Sequence, residues 1–172
     1  PGNSTYAAAT QVIQEFTVSI ADQTITFGSI PNKLLGISPF TLVVSTSSAL
    51  TVNFSSTTTS VCTVASGQVT ILAVGTCTIK ANQPGNGNFN PATEQTQSFN
   101  ITQIAITYDG NSPTTGSASR TSDTYSVGDP GIVLPTVGTL AKTGYNFGGW
   151  STSPGGSALS GTYTTAANVT LY

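Results

Sequence analysis

The first nineteen residues, PGNSTYAAATQVIQEFTVS, recur eighty-three positions later as PGNGNFNPATEQTQSFNIT, beginning at Pro84. Pro1, Gly2 and Asn3 align with Pro84, Gly85 and Asn86; Tyr6 with Phe89; Ala9 and Thr10 with Ala92 and Thr93; Gln14, Phe16 and Val18 with Gln97, Phe99 and Ile101. A constant offset over such a stretch is the mark of a repeated structural unit. In the second copy this stretch closes a body that begins near Asp22. By analogy, residues 1–19 are expected to be the closing strand of a preceding unit, or an orphan strand available for donation. Val12, Gln14, Phe16 and Val18 alternate as strand residues do, and a lone strand of that kind would expose apolar side chains and unpaired backbone groups. Upstream sequence, this chain's own sheet or a neighbouring copy are the three hosts open to it. The chain has no Met, and the expectation is a processed product or a piece of something longer.

Residues 20–102 read as β throughout. QTITF, FTLVV, LTVNF, VCTVA, QVTIL, CTIKA and QSFNI are short β-branched runs, separated by turn clusters such as IPNK, SSTTTS, ASG, AVG and QPGNGN. That spacing predicts a Greek-key sandwich. No segment holds an apolar period of 3.6, so no helix is expected. From Gln103 the texture becomes richer in Gly and aromatics, which sets residues 103–172 apart as a second module. No Pro-rich or charged linker separates the two, so they are expected to abut.

Composition narrows the function. Charged residues are 6% of the chain, against about 25% in ordinary proteins. A hydrophobic fraction of 37% in patterned runs nevertheless argues for a folded chain rather than a disordered polar tract. His is absent, which removes the imidazole base, the Ser-His-Asp and Cys-His arrangements and the commonest metal ligand. No enzymatic activity and no cofactor are expected. Four scattered bases, Lys33, Lys80, Arg120 and Lys142, cannot neutralise a run of phosphates, so nucleic acid is not an expected partner. No apolar run approaches the eighteen residues or so needed to cross a bilayer as a helix. Thr and Ser make up about thirty per cent of the chain; Thr suits a pleated, half-wet surface and keeps it wettable without charge. The cost is fewer charges guarding sheet edges against association.

Cys62 and Cys77 each lie in a strand-like run. With no His and no CxxC motif, a metal site is disfavoured, leaving a disulfide or two buried thiols. A disulfide would close a loop of about fifteen residues, stabilise by about 3 kcal/mol, and imply an oxidising compartment.

With these residues on the page, resemblances appear. The first module, from QTITFGSIP through SVCTVASGQVTILAVGTCTIKANQPGNGNFNPA to QSFNI, resembles bacterial immunoglobulin-like repeats of large surface proteins. The resemblance places Cys62 and Cys77 on neighbouring strands. The second module, with AITYDGN, YSVGDPGIVLP, KTGYNFGGWSTSPGGS and GTYTTAANVTLY, is similar to the Listeria-Bacteroides repeat, also called the internalin B-repeat, of small β-grasp-like fold. In that family the final strand runs a few residues past the position of Leu171-Tyr172, so this strand is expected to be truncated. Together they imply an all-β chain, an immunoglobulin-like sandwich followed by a β-grasp-like module. They imply an extracellular location on a bacterial cell surface and a role as spacer, stalk or filament segment. Partners would be neighbouring repeats or copies of the chain. The rival reading is an adhesin module binding glycans or proteins through loops such as Gly85–Asn90 or Ser153–Ser157.

Four constellations have two readings each. Tyr145, Phe147 and Trp150 form either a sugar-stacking platform or the core of a small module, with the core favoured. Asp109, Asp123 and Asp129 lack calcium-loop spacing and read as turn residues. Lys33, Lys80 and Lys142 are exposed strand or turn residues rather than partners in an isopeptide crosslink. Asn3, Asn53, Asn100 and Asn168 open Asn-X-Ser/Thr triplets that a Thr-rich chain contains by chance.

Overall fold

A computed structural model describes residues 4–7, 9–113 and 115–172. Pro1, Gly2 and Asn3, which carry the first part of the repeat match and one Asn triplet, lie outside the described residues. Among those described, the chain is all-β, with fourteen strands and no helix, in a sandwich-like arrangement.

The first body contains β1 (Ile25–Phe27), β2 (Lys33–Leu34), β3 (Phe40–Thr41), β4 (Val44–Thr46), β5 (Asn53–Ser56), β6 (Cys62–Ala65), β7 (Gln68–Ile71), β8 (Gly75–Asn82) and β9 (Gln95–Thr102). One sheet has the order β2-β9-β8-β5, a second β3-β7-β6, and β1 pairs with β4 alone. The period-two pattern decides which faces meet. Cys77, Ile79 and Ala81 of β8 are fully buried, as are Cys62 and Val69 of the facing sheet, and Phe99 and Ile101 of β9 join them. The β6–β7 hairpin turns on Ser66–Gly67, both at positive φ (49° and 76°), the geometry that matches the twist of paired strands.

Two expectations need correction. FTLVV is not one strand: Phe40–Thr41 pairs with β7, whereas Val44–Thr46 pairs with β1. Leu42 is buried and Val43 is 86% exposed between them, so the chain changes sheet inside a run whose apolar character is continuous. Second, the cysteines are joined, with Cα atoms 5.7 Å apart, but not on neighbouring strands. β6 and β8 belong to different sheets, and the disulfide is a tie across the sandwich.

The second body comprises β10 (Ile104–Tyr108), β11 (Ser122–Tyr125), β12 (Ile132–Val133), β13 (Thr162–Tyr163) and β14 (Val169–Leu171). β10 lies between antiparallel β11 and parallel β14, and β12 pairs with β13. Ile104, Ile106, Tyr108, Tyr125, Trp150 and Leu171 form its buried core. Tyr172 exchanges two main-chain hydrogen bonds with Ser151, at 2.8 and 2.9 Å.

The two cores divide between Ile101 and Ile104, with Gln103 the single residue between β9 and β10. The bodies touch closely. Leu34 packs on the second core, the Val127 amide donates to the Leu35 carbonyl at 2.8 Å, and Gln103 donates to the Ser126 hydroxyl at 3.3 Å. Gly36, at φ +92°, has no room for a side chain: a β-carbon there would overlap the Val127 carbonyl.

Candidate functional site

The stretch Lys142–Trp150 builds a cleft on the second body. The Tyr145 amide donates to the Lys142 carbonyl at 3.0 Å, closing a turn in which Gly144 takes φ +82°, a region open to glycine at no steric cost. Five residues after Gly144, Gly149 at φ +122° faces Ala158 so closely that a β-carbon would collide with it. This approach lets Trp150 accept from the Leu159 amide at 2.7 Å and turn its ring inward. Trp150 is 2% exposed, and its indole N–H donates to the Pro135 carbonyl at 2.7 Å.

The three aromatics therefore part company. Trp150 belongs to the core, stacked at a tilt on Tyr108 with centroids 4.9 Å apart. Tyr145 is 71% and Phe147 45% exposed, and Phe147 rests edge-on against Trp150 at 5.5 Å. With Asp109, Asn111 and Lys142 they line a cleft of about 390 Å³. The Lys142 ammonium stands 5.0 Å above the Tyr145 ring and donates to the Asn111 carbonyl at 3.1 Å. Asp109 accepts from the Asn111 amide at 2.9 Å. Two accessible rings beside a carboxylate, amides and an ammonium form a surface on which a neutral polar ligand can stack and be hydrogen-bonded.

Topology assembles this cleft. Asp109 follows β10, and its amide donates to the Leu171 carbonyl of the parallel neighbour β14 at 2.7 Å. Sequence reading grouped Tyr145 and Phe147 with Trp150, Asp109 with the other acids and Lys142 with the other lysines, but did not join the three groups, because Asp109 lies thirty-three positions before Lys142. Of the loops considered for recognition, Ser153–Ser157 lies at the cleft, where Gly155 and Gly156 line it. Gly85–Asn90 is instead a latch: Ala21 pairs with Phe89, Asn90 donates to Asp22 at 2.9 Å, and buried Gln23 donates to both Gln83 and the Asn90 carbonyl, at 2.8 and 2.7 Å.

The other candidates have structural occupations. Asp109 and Asp129 accept from nearby amides in turns. Asp123 accepts from Tyr108 at 2.6 Å and pairs with Arg120 at 2.8 Å. Burial together with this carboxylate pushes the Tyr108 phenol up to about 12. Among the described residues no three His, Cys, Asp or Glu side chains are grouped as metal ligands. Lys80 pairs with Glu94 at 2.7 Å on the surface, and Lys33 lies over the Phe40 ring. Asn168 accepts from the Ala105 amide at 2.8 Å, fastening β14 to β10.

Val12, Gln14, Phe16 and Val18 are all exposed and lie in no strand. Val12 is 89%, Phe16 85% and Val18 82% accessible. Comparison with protein-family models, curated proteins and solved structures found no match.

Proposed function

We propose that this chain is a spacer or stalk module of an exported bacterial surface protein, without enzymatic activity of its own, whose work is mechanical. The observation that carries the reading is the junction: two separately cored β bodies meet through one linking residue, with Gly36 pressed against Val127. A rod of such bodies transmits length and orientation, and the disulfide between sheets resists extension and fits an oxidising compartment. Small-angle scattering tests this. A single narrow distribution of inter-module distances is expected, and a broad one, as from a flexible hinge, would remove the reading. Assembly of copies into a filament through residues 12–18 is the extended form of the proposal; deletion of residues 1–18 should then abolish polymers, and unchanged assembly rules that form out.

A second reading, an adhesin module, is favoured by the cleft beside Tyr145 and Phe147. A neutral glycan would stack on the exposed rings and hydrogen-bond to Asp109 and the neighbouring amides. A glycan array probed with the chain and with Tyr145→Ala discriminates: binding that the substitution abolishes supports the adhesin, and an empty array removes it.

A further inference from the structure

The repeat offset equates Gln11–Ser19 with Glu94–Thr102, and the structure gives each matched position of β9 a defined task. Gln97 turns inward and its amide donates to the Phe27 carbonyl at 2.8 Å. Phe99 is 3% exposed, edge-on to Phe40 with centroids 5.8 Å apart, and Ile101 is 2% exposed. Gln14, Phe16 and Val18 supply the same amide, the same ring and a like aliphatic side chain at the same spacing, yet are exposed here. The outward positions of β9, Thr96, Ser98 and Asn100, are exposed and correspond to Ile13, Glu15 and Thr17. Of these, Ile13 alone puts an apolar side chain on a wet face.

We infer that residues 12–18 are the closing strand of an immunoglobulin-like unit built like residues 22–94 and lying immediately N-terminal in the same polypeptide, with Gln14 capping a main-chain carbonyl and Phe16 and Val18 entering its core. Two observations choose this occupant over a second copy. In a second copy the position is filled: β9 is paired with β8 from Gln95 to Ile101 and with β2 at Ile101 and Thr102, so an incoming segment would have to displace an equivalent strand. The junction also has the same form at both places. β9 passes to β10 through Gln103 alone, and by the offset Ile20 stands between residues 12–19 and Ala21, where pairing with Phe89 begins. The inference deepens the spacer reading by naming the partner, and it replaces that reading's filament form, in which a second copy would receive residues 12–18. Its test reads strand pairing only, so loss of the mechanical or adhesive role would leave it standing.

The test joins a second copy of residues 22–93 directly ahead of Gln11, leaving the rest of the chain unchanged. Amides of Ile13–Val18 should exchange at least about a hundredfold more slowly than in the original chain, chymotryptic cleavage after Phe16 should disappear, and a second disulfide should form. A companion chain writes the segment into the existing unit through Gln95→Val, Thr96→Ile, Ser98→Glu, Asn100→Thr and Ile101→Val, and should fold cooperatively with its disulfide intact. A version slipped by one residue, placing the sequence of residues 11–17 at 95–101, puts Glu at the Phe99 position and should not fold, since such a slip exchanges the two faces. Fast exchange across residues 13–18 in the extended chain, an unfolded companion chain, or a slipped chain as stable as the companion each overturns the inference. So does association of the original chain into oligomers that Phe16→Asp dissolves, which would make a second copy the host.

Discussion

Tyr108 donates its hydroxyl proton to the same Asp123 oxygen that receives Arg120, at 2.6 and 2.8 Å respectively. The three side chains join β10 to β11 at the margin of the second core. Burial and the adjacent carboxylate both favour the neutral phenol, raising it from its ordinary value of 10 to about 12. The folded state therefore holds this proton more tightly than the unfolded chain does. Its contribution to stability is complete below pH 10 and is lost as pH rises from 10 towards 12. Tyr108→Phe should cost about 1.5–3 kcal/mol at neutral pH, the range for a hydrogen bond to a charged group, while flattening the alkaline decline. Urea unfolding at pH 8, 10 and 11, followed by Trp150 fluorescence, measures both. Parallel pH profiles for the two proteins would show that another group governs the decline.

The disulfide acts in the other body. Cys62 and Cys77 close a loop with a sequence separation of 15, and replacing both with Ser should destabilise the first body by about 3 kcal/mol. The single Trp of the chain and every Tyr from position 20 onward lie in the second module. The two unfolding transitions can therefore be followed apart. The far-UV dichroism of the first body should shift to lower urea while the Trp150 transition stays close to its original midpoint. Equal shifts in both signals would mean that the bodies unfold as one unit.

What was readable beforehand depends on how local the determining interaction is. β8 was legible because Cys77, Ile79 and Ala81 alternate with residues that face outward, and β6–β7 because a Ser-Gly pair separates two strand-like runs. β2 was not: two residues, Lys33 and Leu34, become a strand only because β9 lies alongside. The division of FTLVV between two sheets was equally hidden, since Leu42 and Val43 look alike in sequence and differ only in which side the backbone presents. The cleft was the least legible feature. Gly144 and Gly149 mark a tight turn and a close approach, but Asp109 and Tyr145 line one cleft in a module whose first and last strands lie parallel, a pairing that no periodicity encodes.

Gly36 tests the junction. At φ +92° an L side chain is strained, and a β-carbon would meet the Val127 carbonyl, whose residue also donates its amide to Leu35. Gly36→Ala should force the two bodies apart, costing more than about 1 kcal/mol and broadening the inter-module distances seen by small-angle scattering. Gly28 is the control, with open space where its β-carbon would be and no positive φ. If both substitutions leave scattering unchanged, the close contact does not hold the bodies in register.

Phe16 and Phe99 occupy equivalent places in the repeat but opposite environments, 85% and 3% exposed. Phe99 fills space between β9 and Phe40, so Phe99→Ala should leave a cavity and cost about 3–5 kcal/mol. Phe16 touches no core in this chain, and Phe16→Ala should change stability by less than about 0.5 kcal/mol. The identical change at two aligned positions thus separates the contribution of packing from that of side-chain chemistry. Urea midpoints of the two variants, measured on the oxidised chain, give the comparison directly. A large loss from Phe16→Ala would show that the N-terminal segment packs on this same chain in solution, with its ring as the anchor.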